Sequence, residues 1–237
     1  MMSSSSYLIL LAFNAYHFIS AGARMLDGLN MIIFVCGWHQ QWTASSHDHF
    51  KAVEVRTLTP TMYSQVDVNC GLILRRVAFG TKDIVKYPED NYDRIWFPAI
   101  NSGIFTEATS SAIIANTLDN DPPKEVLRNA FITQNTSTAI VLRANLLMNM
   151  YFSEVDVLDS TDERSFEFYI NDVIVSDPII PPYGKAIQRY LKNFSASSNT
   201  SFALGATSNS TLPPLTNALE VFTITDQLTD GTSPYDG

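Results

Sequence analysis

The stretch Ser165-Phe-Glu-Phe-Tyr-Ile170 carries the strongest secondary-structure signal in the chain. Phe166, Phe168 and Ile170 alternate with more polar residues, so a large apolar side chain recurs at every second position. A period of two places successive side chains on opposite faces of a β-strand. The pattern therefore predicts a strand that turns one face toward a hydrophobic core.

Other short strand candidates, separated by polar turns, lie on both sides of this stretch. Asn171-Asp172 is a plausible two-residue hairpin turn, although it lacks the preferred glycine at its second position. Only Lys185–Lys192 has a helical pattern, and only over two turns. Many short strands with few short helices predict an all-β fold, an antiparallel β-sandwich. The remaining strand candidates are Met31–Val35, Lys51–Leu58, Leu72–Phe79, Ala139–Leu142, Tyr151–Leu158, Val173–Val175, Ser201–Leu204 and Ala218–Thr225.

Composition narrows the possible functions. The formal net charge of the 237-residue chain is −9. This charge excludes a nucleic-acid binder that works by bulk charge, because such proteins neutralise phosphates with clustered Lys and Arg. Hydrophobic residues make up 46% and charged residues 16%, a balance that supports a buried core rather than disorder.

The N-terminus resembles a secretory signal. A mostly apolar stretch, Tyr7–Ile19, precedes small residues in which Ala21 and Ala23 fit a signal-peptidase site. The stretch is too short to span a bilayer, which takes about 20 apolar residues. We therefore interpret residues 1–23 as a signal peptide, with an ordinary buried segment as the alternative.

The segment Tyr87-Pro-Glu-Asp-Asn-Tyr-Asp-Arg-Ile-Trp96 resembles the opening of the second lobe of the malectin-like ectodomain of plant receptor-like kinases. The resemblance continues in the family order over Leu72–Thr225. It implies a jelly-roll type β-sandwich at the cell surface that uses no cofactor. It also implies a cell-wall carbohydrate or peptide ligand and a receptor-like kinase partner. The further matching elements are Pro122–Leu127, Tyr151–Val155, Arg164–Asn171 and Asn209–Glu220.

The same resemblance sets the expected domain organisation. Residues 24–60 match only a remnant of a first lobe and its closing strand, residues 61–226 form the malectin-like lobe, and residues 227–237 read as a linker or truncated end. The chain is thus interpreted as a truncated receptor-like kinase ectodomain. Cys36 stands where the family has a first-lobe cysteine, which leaves two alternatives, an unpaired thiol or a bond to Cys70.

The loop at residues 87–98 is the candidate ligand site. Tyr87, Tyr92, Asp93 and Trp96 combine aromatic faces that stack on sugar rings with a carboxylate that accepts hydrogen bonds from hydroxyl groups. The alternative is structural: Asp93 and Arg94 lock the loop while the aromatic rings fill the edge of the core. The usual burial of aromatic residues favours this alternative.

Potential modification and metal sites are also present. Asn135, Asn193, Asn199 and Asn209 lie in N-glycosylation sequons. His39, His47 and His49 contain the donor type that binds zinc, but a polar stretch without a scaffold favours a solvated loop, so no metal site is predicted.

Enzymatic motifs are missing from the sequence. It contains no Gly-x-Ser-x-Gly elbow, zinc-protease motif, phosphate-binding loop or kinase signature, so we predict a protein that is not an enzyme. One alternative is a glycan hydrolase that uses an acidic pair such as Glu154 and Asp156. The other is a vestigial, non-functional fragment.

Overall fold

The computed structural model describes residues 6–9, 31–34, 54–57, 70–101, 103–142, 148–191 and 200–227. The strands, in chain order, are β1 (Ser6–Ile9), β2 (Met31–Phe34), β3 (Glu54–Thr57), β4 (Cys70–Ala78), β5 (Phe97–Pro98), β6 (Thr106–Thr109), β7 (Asn129–Ile132), β8 (Ala139–Leu142), β9 (Met148–Phe152), β10 (Phe166–Ile170), β11 (Val173–Ile174), β12 (Ile187–Leu191), β13 (Phe202–Ala206), β14 (Leu215–Thr216) and β15 (Ala218–Gln227). One short helix, α1 (Lys124–Arg128), is found among these residues.

The chain divides into two compact units. The first comprises residues 1–12 and 75–221, and the second comprises residues 13–74 and 222–237. Within the second unit, β2 and β3 form a two-stranded antiparallel sheet. The first unit contains the region that matches the predicted sandwich.

Two five-stranded sheets have the strand orders β1-β8-β13-β10-β11 and β12-β9-β15-β4-β5. A smaller sheet has the order β14-β7-β6. Most neighbouring strands are antiparallel, while β1 with β8 and β4 with β5 are parallel. The prediction of an all-β sandwich with few short helices is confirmed.

The two large sheets pack face to face through alternating apolar side chains. Met148, Met150 and Phe152 of β9 lie in this core together with Phe166 and Phe168 of β10. The rings of Phe152 and Phe166 meet edge-on, with their centroids 5.3 Å apart. Full burial of one such side chain contributes about 1.5–3 kcal/mol, so this layer is the main source of stability.

The opposite face of the β12-β9-β15-β4-β5 sheet is also covered. All of β9 is buried, because Asn149 and Tyr151 point away from the main core into a second buried layer. Trp96, Val126 and Leu127 pack in that layer, and they come from the loop before β5 and from α1. A strand buried on both faces loses the simple alternation of apolar and polar residues.

Asn217 connects the strands beneath this second layer. Its side-chain Nδ2 donates to the backbone oxygens of Leu127 and Asn129, both at 2.9 Å. Its Oδ1 accepts the backbone N–H of Ser153 at 2.7 Å. Its backbone oxygen accepts the N–H of Phe79 at 2.8 Å. Because these groups are buried, losing one partner would leave an unsatisfied polar atom.

The structure corrects two sequence-based assignments. The helical pattern of Lys185–Lys192 is wrong, since this segment contains the strand β12, which pairs antiparallel with β9. The strand predicted at Tyr151–Leu158 begins earlier, at Met148, and ends at Phe152.

Three further sequence-based predictions concern a turn, the two cysteines and the N-terminal segment. The turn predicted at Asn171-Asp172 is confirmed, with φ angles of 48° and 65° at its two residues. The side chains of Cys36 and Cys70 lie outside the described residues, and so does most of the predicted signal segment. Within the described ranges, no helix has the length and apolar character needed to span a bilayer.

Replacing Gly80 by Ala should destabilise the protein by roughly 3 kcal/mol. Gly80 has φ +78°, and a Cβ at this position would lie 2.6 Å from the backbone oxygen of Ala130. Gly103 is the matched control, because its φ is +84° but open space surrounds the Cβ position. Gly103→Ala should cost only about 1 kcal/mol, from the backbone alone. Equal losses of unfolding free energy in urea would show that contact with Ala130 is unimportant.

Candidate functional site

The structure places the predicted ligand residues of the 87–98 loop in different environments. Tyr87 is 63% exposed, whereas Trp96 is fully buried. Tyr92 and Asp93 are half-buried, and Asp93 has a positive φ of 53°. Only Tyr87, Tyr92 and Asp93 therefore have surface that a ligand could contact in this arrangement.

Asp90 organises the loop from within. Its carboxylate accepts the Trp96 indole N–H at 2.7 Å, the Tyr92 backbone N–H at 2.8 Å and the Arg94 Nε–H at 2.8 Å. Both Asp90 and Arg94 are buried. The Arg94 guanidinium lies 5.1 Å from the Tyr92 ring centroid and 5.7 Å from that of Trp96. The structural alternative named Asp93 as the partner of Arg94, whereas the carboxylate bound to Arg94 Nε is that of Asp90.

Arg94 also fixes the neighbouring loop. Its terminal nitrogens donate to the backbone oxygens of Asn120 and Asp121, at 2.6 and 2.5 Å. Asp121 has a positive φ of 39°, a conformation that needs support from outside contacts. The ion pair within the 87–98 loop therefore positions the chain at residues 120–121.

A second buried ion pair lies on the same face of the sheet. Arg76 Nε donates to Glu220 Oε1 at 2.9 Å. Glu220 Oε2 accepts the Tyr151 hydroxyl at 2.6 Å and Asn149 Nδ2 at 2.9 Å. A more distant donor is Asn120 Nδ2, at 3.4 Å. The Glu220 carboxylate thus joins residues from β4 and β9 to β15 through charge-assisted hydrogen bonds.

The acidic pair considered for hydrolysis is engaged in a third set of contacts. Glu154 is buried and accepts Arg164 Nε at 2.8 Å and the backbone N–H groups of Val155 and Asp156 at 2.9 and 3.1 Å. Arg164 also donates to the backbone oxygen of Pro213. The Asp156 side chain is 60% exposed and lies 3.6 Å from the Arg164 guanidinium. Glu154 thus holds two segments of chain together.

An open cleft lies beside β12. It has a volume of about 290 Å³ and is bounded by residues 117–119 on one side and residues 186–190 on the other. Thr117, Asp119, Gln188, Arg189 and Tyr190 supply hydroxyl, carboxylate, amide, guanidinium and aromatic groups. Among the described residues, no hydrogen-bond partner is found for the buried Gln188 Nε2 atom. Such an atom carries a desolvation cost that a ligand acceptor would relieve.

Neither the cleft nor the Glu220 network was predicted from the sequence. The two walls of the cleft are far apart in the chain and carry no shared motif. One signal for the network was available: Glu220 is an acidic residue inside the apolar strand candidate Ala218–Thr225. A charge at such a position indicates a buried partner.

The described sequons differ in their local contacts but not in exposure. Asn135 and Asn209 are both exposed. Asn135 Oδ1 accepts the hydroxyls of Ser137 and Thr138, each at 2.7 Å. Asn193 and Asn199 lie outside the described residues, as do His39, His47 and His49. The described ranges contain no cluster of His, Cys, Asp and Glu that could hold a metal ion.

Sequence comparison decides the family. A model of the malectin-like domain matches residues 42–224. The chain belongs to the malectin-like family. In Arabidopsis thaliana, uncharacterized protein At1g24485 is 36% identical to this malectin-like chain over 193 residues, which are 78% of the chain and 38% of that protein. The putative leucine-rich repeat receptor-like serine/threonine-protein kinase At2g04300 is 28% identical over 193 residues, 78% of this chain and 22% of the kinase.

Solved structures that superpose on this chain include a plant receptor-like kinase and a plant ectodomain. The receptor-like kinase FER superposes with a TM-score of 0.58 at 16% identity, covering 73% of this chain and 56% of that chain. The ANX2 ectodomain from Arabidopsis thaliana superposes with a TM-score of 0.57 at 14% identity. The match covers 73% of this chain and 56% of that chain. The structure of plant peptide RALF23 in complex with FER and LLG2 contains a chain that superposes with a TM-score of 0.57 at 15% identity. The match covers 73% of this chain and 57% of that chain. The resemblance found in the 87–98 loop and the jelly-roll type fold are thereby confirmed.

The Asp90→Asn substitution should lower the unfolding free energy by about 3–5 kcal/mol. The amide removes the negative charge that pairs with Arg94. Its N–H group also faces the N–H of Trp96 or of Arg94, so two donors are placed against each other. Glu89→Gln makes the same chemical change at an exposed neighbour and should cost less than about 0.5 kcal/mol. Urea titrations followed by tryptophan fluorescence would measure both values. Similar, small losses would mean that the ion pair does not hold the loop.

Proposed function

We propose that this malectin-like chain is a non-catalytic recognition module that works outside the cell. Its ligand is a peptide or a cell-wall carbohydrate, and its partner is a receptor-like kinase, with the chain acting as the ectodomain of such a receptor. The observation that carries this proposal is the open cleft beside β12, where polar groups of several kinds face solvent.

The comparisons support the extracellular setting and the ligand class. The FER and ANX2 neighbours are receptor-like kinases or their ectodomains, and one neighbour contains the peptide RALF23. The chain spans between 22% and 38% of the length of the first relatives that it matches. Residues 1–23 are proposed as the signal for secretion, and glycans are proposed at Asn135 and Asn209, which are exposed.

The geometry of the acidic residues favours binding over catalysis. A glycoside hydrolase needs one carboxyl group that gives up a proton and a second that acts as a nucleophile or base. Glu154 instead is buried and receives three donors, so its oxygens are already engaged by the protein. Glu220 and Asp90 are likewise occupied by buried arginines. These carboxylates are proposed to stabilise the domain.

The cleft is proposed as the main ligand site, with Tyr87, Tyr92 and Asp93 as a second contact surface. Arg94 links the two, since the residues whose carbonyls it binds follow directly after the cleft wall at residues 117–119. A rigid wall reduces the conformational entropy that the protein loses when a ligand binds.

A binding experiment tests the proposal. The purified chain is titrated calorimetrically with a panel of cell-wall oligosaccharides and with peptides selected from a random library. Asp119→Ala and Gln188→Ala should each weaken binding of the best ligand by roughly tenfold, the loss expected for one or two hydrogen bonds. Gln134→Ala, an exposed residue on the β7–β8 loop, is the control and should leave the affinity unchanged. Tyr87→Ala tests the second surface. Absence of binding to every member of both panels would contradict the proposal.

The Glu154→Gln variant separates binding from hydrolysis. We expect no product from cell-wall oligosaccharides with either the native chain or the variant. The variant should lose about 3–5 kcal/mol of unfolding free energy, because Arg164 loses its buried counter-ion and keeps only the exposed Asp156 carboxylate at 3.6 Å. Asp156→Asn, an exposed neighbour, should lose less than about 1 kcal/mol. Turnover by the native chain that disappears in Glu154→Gln would establish the hydrolase alternative.

A further inference from the structure

The edge formed by β11 is apolar and faces solvent. β11 is the last strand in the sheet order β1-β8-β13-β10-β11, and β10 is its neighbour among the described strands. Val173, Ile174 and Val175 follow the hairpin turn and are 63%, 52% and 44% exposed. Proteins usually protect an exposed edge strand with Lys, Pro or a covering element. Neither Lys nor Pro stands among these three residues, so the edge offers a place for a further strand.

The pairing register directs the backbone groups of Ile174 away from β10. The N–H of Val175 donates to the oxygen of Phe168 at 2.9 Å, so these two residues form a hydrogen-bonded pair. Ile174 stands opposite Tyr169, one position along the ladder. Hydrogen-bonded and non-hydrogen-bonded pairs alternate in an antiparallel ladder. The N–H and C=O of Ile174 therefore point outward, where the backbone of an added strand can bond to both.

The exposed side chains of this edge extend an apolar layer of the sandwich. Val173 stands opposite Ile170, and Val175 stands opposite Phe168. Phe168 lies in the main core, and Ile170 packs against it. Apolar cross-strand neighbours stabilise a sheet when their side chains meet on one face. An added strand with apolar residues at these positions would cover Val173 and Val175 and continue the layer.

Acidic residues surround the apolar edge. Residues 165–184 contain Glu167, Asp172 and Asp177 but no Lys, Arg or His. Asp172 and Asp177 are exposed and stand at the two ends of the apolar run. Neither forms an ion pair with a residue that the structure describes. Complementary charge directs association and suppresses wrong partners, so this edge favours a strand with basic ends.

We propose that the β11 edge docks an extended segment of a partner protein in which apolar residues are flanked by Lys or Arg. The segment adds a strand beside β11, and its backbone bonds to Ile174. Its apolar side chains cover Val173 and Val175, and its basic ends pair with Asp172 and Asp177. This surface adds a protein-docking site to the proposed recognition module. It belongs to a different sheet from β12 and the cleft.

A second copy of this chain is a poorer occupant of the edge. An antiparallel pairing centred on Ile174 would place Asp172 of one copy opposite Ser176 of the other, next to Asp177. Like charges at neighbouring cross-strand positions repel. Each copy also carries a formal net charge of −9. A stable interface buries about 1,200–2,000 Å², which a short edge alone does not provide.

A synthetic peptide tests the strand pairing. The amidated heptapeptide Arg-Lys-Val-Ile-Val-Lys-Arg carries an N-terminal rhodamine label, and its binding to the purified full chain is followed by fluorescence anisotropy. N-methylation of its central isoleucine removes the donor that faces Ile174 and should raise the dissociation constant by about tenfold or more. N-methylation of either valine, whose N–H faces away from β11, should change it by less than about threefold. Equal losses at all three positions overturn the proposal.

Protein variants locate the binding surface. Ile174→Lys places on the edge the charge that natural proteins use to block pairing, and it should weaken the peptide by about tenfold or more. Ile100→Lys makes the same change at an exposed residue after β5 and should change the affinity by less than about twofold. Because both residues are exposed, the unfolding midpoint in urea should stay the same in both variants. Equal effects of the two variants on affinity overturn the proposal.

The charge contribution has its own matched pair. The double variant Asp172→Asn, Asp177→Asn should weaken the peptide by about fivefold, as expected for two exposed ion pairs. The double variant Asp159→Asn, Asp162→Asn changes the net charge equally at an exposed turn elsewhere and should have little effect. Equal losses in the two double variants would show that only the overall charge attracts the peptide, which contradicts the proposed site.

Two further outcomes would overturn the proposal. One is no binding of the heptapeptide to the native chain. The other is a dimer in sedimentation experiments that Ile174→Lys dissociates, because the occupant of the edge would then be a second copy. Neither outcome contradicts recognition at the cleft, which is tested by its own ligand titration. Asp119→Ala, a substitution in the cleft wall, should leave the affinity for the heptapeptide unchanged.

Discussion

Two buried arginine–carboxylate pairs, Arg76 with Glu220 and Arg94 with Asp90, hold the outer layer of this domain in place. Removing such charges from water is costly, and the cost is recovered only when every remaining donor and acceptor has a partner. Here the partners come from distant segments: Tyr151 and Asn149 on β9, the Trp96 indole, and the backbone at residues 120–121. The network therefore specifies how the loops lie on the sheet, because a displaced loop would leave an unpaired buried charge.

This constraint also explains why the most conspicuous aromatic residue is not at the surface. Trp96 stands between the two pairs, with the Arg94 guanidinium 5.7 Å and the Arg76 guanidinium 6.0 Å from its ring centroid. Its ring meets Tyr151 edge-on at 6.1 Å. The 87–98 loop is thus held by its own buried ion pair. Through Arg94 it also fixes the backbone at residues 120–121, next to the cleft wall at residues 117–119.

The sequence predicted the parts of the fold in which one face of a strand is polar and the other apolar. Phe166, Phe168 and Ile170 alternate clearly, and β10 lies where they placed it. Asn149 interrupts the apolar pattern of β9. Its side chain points away from the main core and donates a hydrogen bond to the Glu220 carboxylate in the second buried layer.

The edge strand β12 and the cleft were harder to predict. Ile187 and Leu191 are four residues apart, the spacing of neighbours on a helix face. Because β12 is an edge strand of mixed exposure, its sequence lacks the alternation of apolar and polar residues that would have indicated a strand. The cleft depends on where residues 112–119 leave β12, which follows from tertiary packing rather than from any local motif. Glu220, the acidic residue inside the apolar stretch Ala218–Thr225, was the visible trace of the buried network.

The two sequons within the described residues lie at the same end of the sandwich. Asn135 precedes β8 and Asn209 follows β13, and these strands are antiparallel neighbours that place Ile140 opposite Leu204. Both asparagines therefore emerge from the same end of the sandwich, while the hairpin turn at Asn171-Asp172 lies at the other end. With sugar attached to both, one pole would be shielded by two bulky hydrophilic chains. Encounters with other macromolecules would then be directed to the opposite pole and to the flanks of the domain.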